Sequence, residues 1–191
     1  MKKLFVASAA ALILGTFAAQ ADTYVSVLGG PTWAPDLNVG GTKRAMDTGF
    51  NVGARAGTTL ERWNLPDFSV EADGLFGQST YAGNNNARLQ TSSYMGNLIY
   101  HLPMFHDTPF GVYGGAGLGA VHTNVDNGVG NHGGSTVLGW QALGGVEYRA
   151  SEWASLFAEY RYQDAHDVNA GGLTQIGNKS NNLSVGVKWH L

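Results

Sequence analysis

Eight charged residues that could do chemistry lie in short segments of this sequence in which every second residue is mostly apolar. The charges lie at the positions between the apolar ones. They are four basic and four acidic residues: Arg55, Glu71, Asp73, Glu147, Arg149, Glu159, Arg161 and Lys188. The opposite parity of the same segments carries no charge. An ionised side chain in a dry interior costs several kcal/mol unless it is paired. The balance of signs therefore predicts a buried network of ion pairs.

The segments that position these charges have the period of β-strands, in which successive side chains point to opposite faces. Eight such runs occur, and no amphipathic helix of useful length lies between them. The runs are Tyr24–Trp33, Phe50–Gly57, Phe68–Phe76, Tyr94–Leu102, Phe110–Val121, Leu138–Arg149, Leu156–Gln163 and Leu183–Leu191. The first meets Gly29-Gly30-Pro31, which suggests a bend or an early loop. We predict an all-β fold with eight strands.

The connections between these strands alternate in length. Long polar connections are expected at Ala34–Thr48, Thr80–Thr91, His122–Thr136 and Asp164–Asn181, and shorter ones at Thr59–Asp67, Pro103–Pro109 and Ala150–Trp153. Long loops at one end and short turns at the other are typical of outer-membrane barrels. The pattern predicts an eight-stranded antiparallel up-and-down transmembrane β-barrel, with both termini on the periplasmic side.

Aromatic residues favour a membrane barrel over a soluble periplasmic β-protein, which is the alternative. One set lies near the short-turn ends of the strands: Tyr100, Phe110, Tyr148, Trp153 and Trp189. A second set lies near the long-loop ends: Trp33, Phe50, Phe76, Tyr94, Trp140 and Tyr162. Two such sets resemble the aromatic girdles at the two membrane interfaces. The final strand must then pair with the first, because hydrocarbon offers nothing to an open edge.

The amino terminus reads as an export signal. Lys2 and Lys3 precede an apolar run, and Ala19-Gln20-Ala21 supplies a small-residue cleavage pattern. We predict a cleaved signal peptide at residues 1–21 and a barrel at residues 22–191. Without the leader, the chain has nine basic and 14 acidic residues, which gives a net charge of −5. Nucleic acid is therefore not an expected partner, and the lack of cysteine excludes disulfides and thiolate metal sites.

Several segments resemble the small outer-membrane porin-like (opacity, or immunogenic antigen) β-barrel family. They are Met95–Pro103, Thr108–Gly119, Gly139–Arg149, Ser155–Asp164 and Leu183–Leu191. The resemblance covers essentially the whole mature chain, and in architecture it extends to the membrane domain of outer membrane protein A. It implies a Gram-negative outer-membrane location and no catalytic residues. Such barrels usually end in an aromatic residue that the assembly machinery recognises, whereas this chain ends in Trp189-His190-Leu191.

A structural or surface-interaction role is the function that these observations favour. An eight-stranded barrel has an interior just wide enough for side chains to fill it. We expect the eight charges, with Asn97, Gln141, Gln163 and His190, to plug the lumen, and the long loops to form the contact surface. A narrow porin passing small solutes or ions is the alternative. The expected partners are outer-membrane lipid and lipopolysaccharide, the assembly machinery through the C-terminal strand, and cell-surface ligands at the loops.

Catalytic and cofactor sites are not predicted. His122, Asp126, His132, His166 and Asp167 could meet at the outer rim, but their spacing offers no i, i+4 pair for zinc. A lipid hydrolase would need a serine beside a base on the lipid-facing surface. His101 and His190 instead share the lumen parity. We therefore expect no enzyme, no metal and no cofactor.

Overall fold

The computed structural model of the chain describes residues 23–33, 37–39, 42–44, 47–81, 84–103, 108–126, 132–170 and 173–191. Side chains within it are described for 23–33, 47–79, 90–103, 108–124, 134–165 and 179–191. The predicted signal peptide at residues 1–21 lies outside the described residues. No helix in the described ranges is long and apolar enough to cross a membrane.

The described part of the chain forms ten strands and one turn of 3₁₀ helix at Glu61–Trp63. The strands are β1 (Thr23–Trp33), β2 (Leu37–Val39), β3 (Thr42–Arg44), β4 (Gly49–Leu60), β5 (Leu65–Tyr81), β6 (Asn84–His101), β7 (Phe110–Asp126), β8 (His132–Arg149), β9 (Ala154–Ala170) and β10 (Leu173–His190). Eight of them close a barrel in the order β1-β10-β9-β8-β7-β6-β5-β4, and β2 and β3 form a separate hairpin. The predicted all-β, eight-stranded antiparallel barrel is confirmed.

Pairing between the first and last strands closes the barrel. Tyr24 lies opposite His190, and Trp33 lies opposite Asn181. The Leu191 amide donates to the Thr23 carbonyl oxygen at 2.8 Å, which extends the seam to the end of the chain. A closed sheet has no edge, so its backbone hydrogen bonds are satisfied without water.

The predicted bend in the first strand is absent, since β1 continues to Trp33. Gly30 and Pro31 still pair with β4, but the ladder to β10 lapses between Gly29 and Thr32. Proline has no N–H to donate to a neighbouring strand. The Asn51 side-chain amide compensates by donating to the carbonyl oxygens of both residues, at 3.0 and 2.9 Å.

The two faces of each strand have opposite chemistry. The apolar parity points outward, where Leu118 and Val185 expose 66% and 65% of their surface. The charged parity points into the lumen, where Arg55, Glu159 and Arg161 are buried. This is the orientation that the sequence predicts, and it is reversed relative to a soluble protein, whose apolar face is buried.

Outward aromatic rings pair across neighbouring strands at both ends of the barrel. Phe110 and Tyr148 have ring centroids 5.1 Å apart near the short turns. Trp140 and Tyr162 have centroids 5.5 Å apart near the other end. These belts match the predicted girdles and bound the apolar surface between them.

The prediction of long polar loops is largely wrong. Most of Thr80–Thr91, His122–Thr136 and Asp164–Asn181 continues the barrel strands as projecting hairpins. Pairing between β7 and β8, for example, extends to Asp126 opposite His132. These segments follow the aromatic belt, so they need no apolar face toward lipid. Their backbone hydrogen bonds form without the alternation of apolar and polar residues by which a strand is predicted from sequence. The short connection at residues 150–153 is confirmed.

Leu98→Arg tests the outward orientation. Leu98 is half exposed on the outward face of β6, about midway between Tyr94 and Tyr100 of the two aromatic belts, where arginine on the lipid face of a barrel costs about 2–4 kcal/mol. We expect the free energy of unfolding from phospholipid vesicles, measured by denaturant titration, to fall by that amount. Asn124→Arg, on the outward face of β7 beyond the aromatic belt, is the control and should cost about 0–1 kcal/mol. Equal effects of the two substitutions would contradict a lipid-facing Leu98.

Candidate functional site

A chain of five ionised side chains crosses the middle of the lumen. Arg55 binds Glu159 through two hydrogen bonds of 2.9 and 2.7 Å, and it lies 3.3 Å from Glu71. Arg161 reaches the same Glu159 at 2.9 Å and Asp73 at 3.2 Å. The order of contacts is therefore Glu71–Arg55–Glu159–Arg161–Asp73, contributed by β4, β5 and β9. We call these five residues the central network.

Two side-chain amides complete the environment of Asp73. Asn97 and Gln141 donate to one Asp73 carboxylate oxygen at 2.8 and 3.1 Å, and Gln141 also donates to Asn97 at 2.6 Å. The carbonyl oxygen of Gln141 accepts from Arg161 at 3.4 Å. The amides thereby link β6 and β8 to the charges on β5 and β9.

Two tyrosines, which the sequence interpretation missed, bind the other carboxylates. Tyr24 donates to Glu71 at 2.8 Å, and Tyr113 donates to Glu159 at 3.0 Å. Hydrogen bonds to ionised acceptors are roughly twice as strong as neutral ones. The hydroxyl groups therefore stabilise the ionised network from β1 and β7.

Glycines on the neighbouring strands make room for these two rings. Gly57 lies opposite Tyr24, and Gly145 lies opposite Tyr113. A Cβ at either position would stand 2.6 Å from the tyrosine ring, closer than real Cβ contacts. A glycine opposite a tyrosine on the neighbouring strand is therefore the sequence feature that indicates where the rings of Tyr24 and Tyr113 lie.

The central network and its amides fill the lumen at its middle. Arg161, Gln141 and Glu159 are among the largest fully buried side chains in the described part of the chain. The ionised groups of Arg55, Glu71 and Glu159 are also almost completely enclosed, with side-chain exposures of 1–2%. The arrangement is a layer of paired charges and amides across the lumen.

A second ion pair lies closer to the short-turn end. Lys188 binds Glu147, and His190 lies 3.9 Å from the same carboxylate. The Lys188 ammonium stands 4.8 Å from the Tyr24 ring centroid and 5.5 Å from that of Tyr113. Cation–π attraction thus joins this pair to the tyrosines of the central network.

Arg149 is a correction to the predicted network. It is the last residue of β8 and lies on the lumen parity, but its side chain is exposed at the mouth of the barrel. Alternation in the sequence predicts on which face of a strand a residue lies. It does not show where the strand leaves the enclosed part of the lumen. Of the eight predicted residues, five form the central network, Glu147 and Lys188 form the second pair, and Arg149 stands apart.

Two serine–histidine contacts lie at the same end of the lumen. Ser69 contacts the His101 ring at 2.8 Å, and Ser155 contacts the His190 ring at 2.9 Å. Both serines are fully buried. Glu147 approaches the His190 nitrogen that contacts Ser155, not the opposite ring nitrogen that a catalytic triad requires. Both contacts are side-chain hydrogen bonds inside the lumen.

The residues considered for zinc are partly outside the described side chains. His122 is described, and its ring contacts the Thr136 hydroxyl at 2.8 Å. The side chains of Asp126, His132, His166 and Asp167 are not described. Within the part of the chain that the structure describes, no three histidine or acidic side chains converge as metal ligands.

A closed barrel with an apolar outer face, aromatic belts at both ends and an ionised interior is a small membrane-spanning β-barrel. A family model described as the outer membrane protein beta-barrel domain matches residues 4–190. The chain belongs to this family. None of the curated proteins matches it.

Solved structures of outer-membrane proteins share the fold. Neisserial surface protein A (NspA) is 20% identical with a TM-score of 0.66, covering 91% of this chain and 100% of its own. OprG from Pseudomonas aeruginosa is 18% identical with a TM-score of 0.56, covering 90% and 97%. Ail, the attachment invasion locus protein of Yersinia pestis, is 13% identical with a TM-score of 0.53, covering 91% and 100%. At these identities the likeness concerns the fold alone.

Glu159→Gln tests the energetic role of the network. Removing one charge from a buried ion pair leaves its partner uncompensated, and typically costs 3–5 kcal/mol. Because Glu159 serves two guanidinium groups, we expect the free energy of unfolding in vesicles to fall by about 3 kcal/mol or more. Glu152→Gln, on an exposed turn, is the matched control and should change it by about 0.5 kcal/mol or less. Similar losses for both variants would refute the role assigned to Glu159.

Proposed function

We propose that this chain is a closed, non-enzymatic barrel of the outer membrane that presents its outer hairpins as a contact surface. The observation that carries the proposal is the central network, which fills the middle of the lumen with paired charges. Passage of a solute through this layer would require ion pairs to separate in an enclosed space. Leaving a buried charge without its partner is strongly unfavourable.

The outer hairpins support the contact role because they project beyond the outer aromatic belt. From Ala120, opposite Leu138, the β7–β8 ladder continues to Asp126. These segments are rich in asparagine, glycine and threonine, and side-chain amides and hydroxyls both donate and accept hydrogen bonds. In outer-membrane barrels the longer connections lie on the extracellular side.

The charge of the outer segments limits the class of partner. The complex of Ail was solved with the heparin analogue sucrose octasulfate, a polyanion that requires a basic surface. Here the four outer segments, residues 34–49, 80–91, 122–136 and 164–181, carry four basic and five acidic residues. The proposed partner is therefore an uncharged polar surface, recognised by hydrogen bonding, rather than a sulfated polymer.

The location and remaining partners belong to the same proposal. Export by the leader at residues 1–21 would deliver the chain to the periplasm, and β10 would be the strand that the outer-membrane assembly machinery engages. Bilayer lipid and lipopolysaccharide would cover the outward apolar parity. Membrane fractionation, with a gel-mobility difference between boiled and unboiled samples, tests this location against a soluble periplasmic protein.

Conductance in planar bilayers tests the closed lumen. We expect the full chain to show no large, steady channels. The variant Arg55→Ser, Glu159→Ser, Arg161→Ser removes three enclosed side chains, so a folded barrel carrying it should conduct. A control with Glu61→Ser, Arg62→Ser and Glu152→Ser changes three exposed turn residues and should remain closed. Large, steady channels from the unchanged chain would overturn the plug and favour the narrow porin.

Hairpin truncation tests the contact surface. Thr123 lies directly opposite Ser135, so replacing residues 124–134 with Asn-Gly gives a two-residue turn that preserves the register. We expect the truncated barrel to fold with unchanged gel mobility, while adhesion of cells expressing it to neighbouring or host cells falls at least fivefold. A control in which the order of residues 124–134 is scrambled keeps the length and composition. Full adhesion by the truncated chain would contradict a contact role for this hairpin.

A further inference from the structure

A chamber opens at the short-turn end of the lumen, on the periplasmic side of the central network. Its volume is about 300 Å³, which is at the lower end of the range for small-molecule pockets. Glu147, Arg149, Lys188, His101 and His190 contribute polar groups to its lining. All five lie on the lumen parity of their strands, so the polar groups of the chamber belong to the interior of the barrel.

Lys188 supplies the chamber with unused hydrogen-bond donors. Its ammonium carries three N–H groups, and its one side-chain hydrogen bond among the described residues goes to Glu147. The rings of Tyr24 and Tyr113 flank it with π faces. Lys188 is buried and lines the chamber, so its remaining N–H groups are available to an acceptor held there.

Arg149 supplies a second cation to the same chamber. Within the described part of the chain its guanidinium makes no hydrogen bond or ion pair. A planar guanidinium fork matches the two oxygens of a carboxylate or phosphate. Glu147 is the acidic side chain among the described lining residues, and Asp67 of β5 lies outside the lining on the side of His101. Among the described lining residues, Lys188 and Arg149 are therefore accompanied by one carboxylate, which already binds Lys188.

The geometry points to a binding site for a small organic anion in this chamber, with carboxylate or phosphate oxygens accepting from Lys188 and Arg149. A soluble acid fits better than a lipid headgroup, because the charged side chains of the lining, Glu147, Arg149 and Lys188, all belong to the lumen parity, whereas the outward-parity lining residues Phe110 and Val112 are apolar. The site is independent of the proposed contact surface, since it lies at the opposite end of the barrel.

Isothermal titration of the full chain, folded in a non-ionic detergent, tests the site with citrate and with inorganic phosphate. We expect saturable binding of at least one probe and none of choline, a cation of similar size. Arg149→Gln should raise the Kd at least fivefold, whereas Arg62→Gln, on an exposed turn outside the lining, should leave it within twofold. Glu147→Gln should lower the Kd, because it removes the competing carboxylate.

Four outcomes would overturn the site. They are the absence of saturable binding by citrate and phosphate, equal effects of Arg149→Gln and Arg62→Gln, weaker binding by a folded Glu147→Gln barrel, and binding of short-chain phosphatidylglycerol but of neither soluble anion. The last would assign the cations to a lipid headgroup. Arg149 is exposed and outside the central network, so its variant remains informative even if Glu147→Gln does not fold.

Discussion

The Glu159 carboxylate lies between two guanidinium groups in the enclosed middle of the lumen. One of its oxygens accepts from both Arg55 and Arg161, at 2.7 and 2.9 Å. Because apolar residues must face lipid, the opposite parity of every strand is forced into the lumen, and an ionised side chain enclosed there needs a partner of opposite charge. Barrel closure, strand orientation and lumen filling therefore all depend on placing apolar side chains in lipid and pairing the charges that are enclosed. An unpaired charge at this level would destabilise the whole barrel rather than one strand.

Strand orientation could be predicted from the sequence because a bilayer enforces strict alternation. Arg55 and Glu159 share their parity with polar or small residues, while Val52 and Leu156 lie on parities without charge. The two-residue alternation of apolar side chains then predicts which side chains contact lipid. An even number of strands, joined by connections that alternate in length, predicts the antiparallel order. The sign balance indicated pairing, although it did not identify Glu159 as the shared partner of two arginines. That identity depends on the stagger between β4 and β9, which are not neighbours in the sheet.

The parts that could not be predicted lie where the lipid constraint ends. Beyond the outer belt both faces of a strand meet water, so polar hairpins and loops have the same sequence pattern. At the other end, Arg149 keeps the lumen parity after the enclosure has ended. The girdle pattern does not place Tyr24 and Tyr113, because these two tyrosines occupy the inward parity, each opposite a glycine of a neighbouring strand. Parity taken together with cross-strand glycines would have placed them.

The two ends of the lumen differ in chemistry because the central network separates them. On the outer side the lining includes the hydroxyl and amide groups of Ser93, Gln163 and Asn182, together with Leu75 and Lys179. At the short-turn end Lys188 is held by its carboxylate partner and by tyrosines that also bind the central network. A ligand that competes for Lys188 would therefore act on the same tyrosines that bind Glu71 and Glu159. The central network thus physically couples the chamber at the short-turn end to the middle of the membrane.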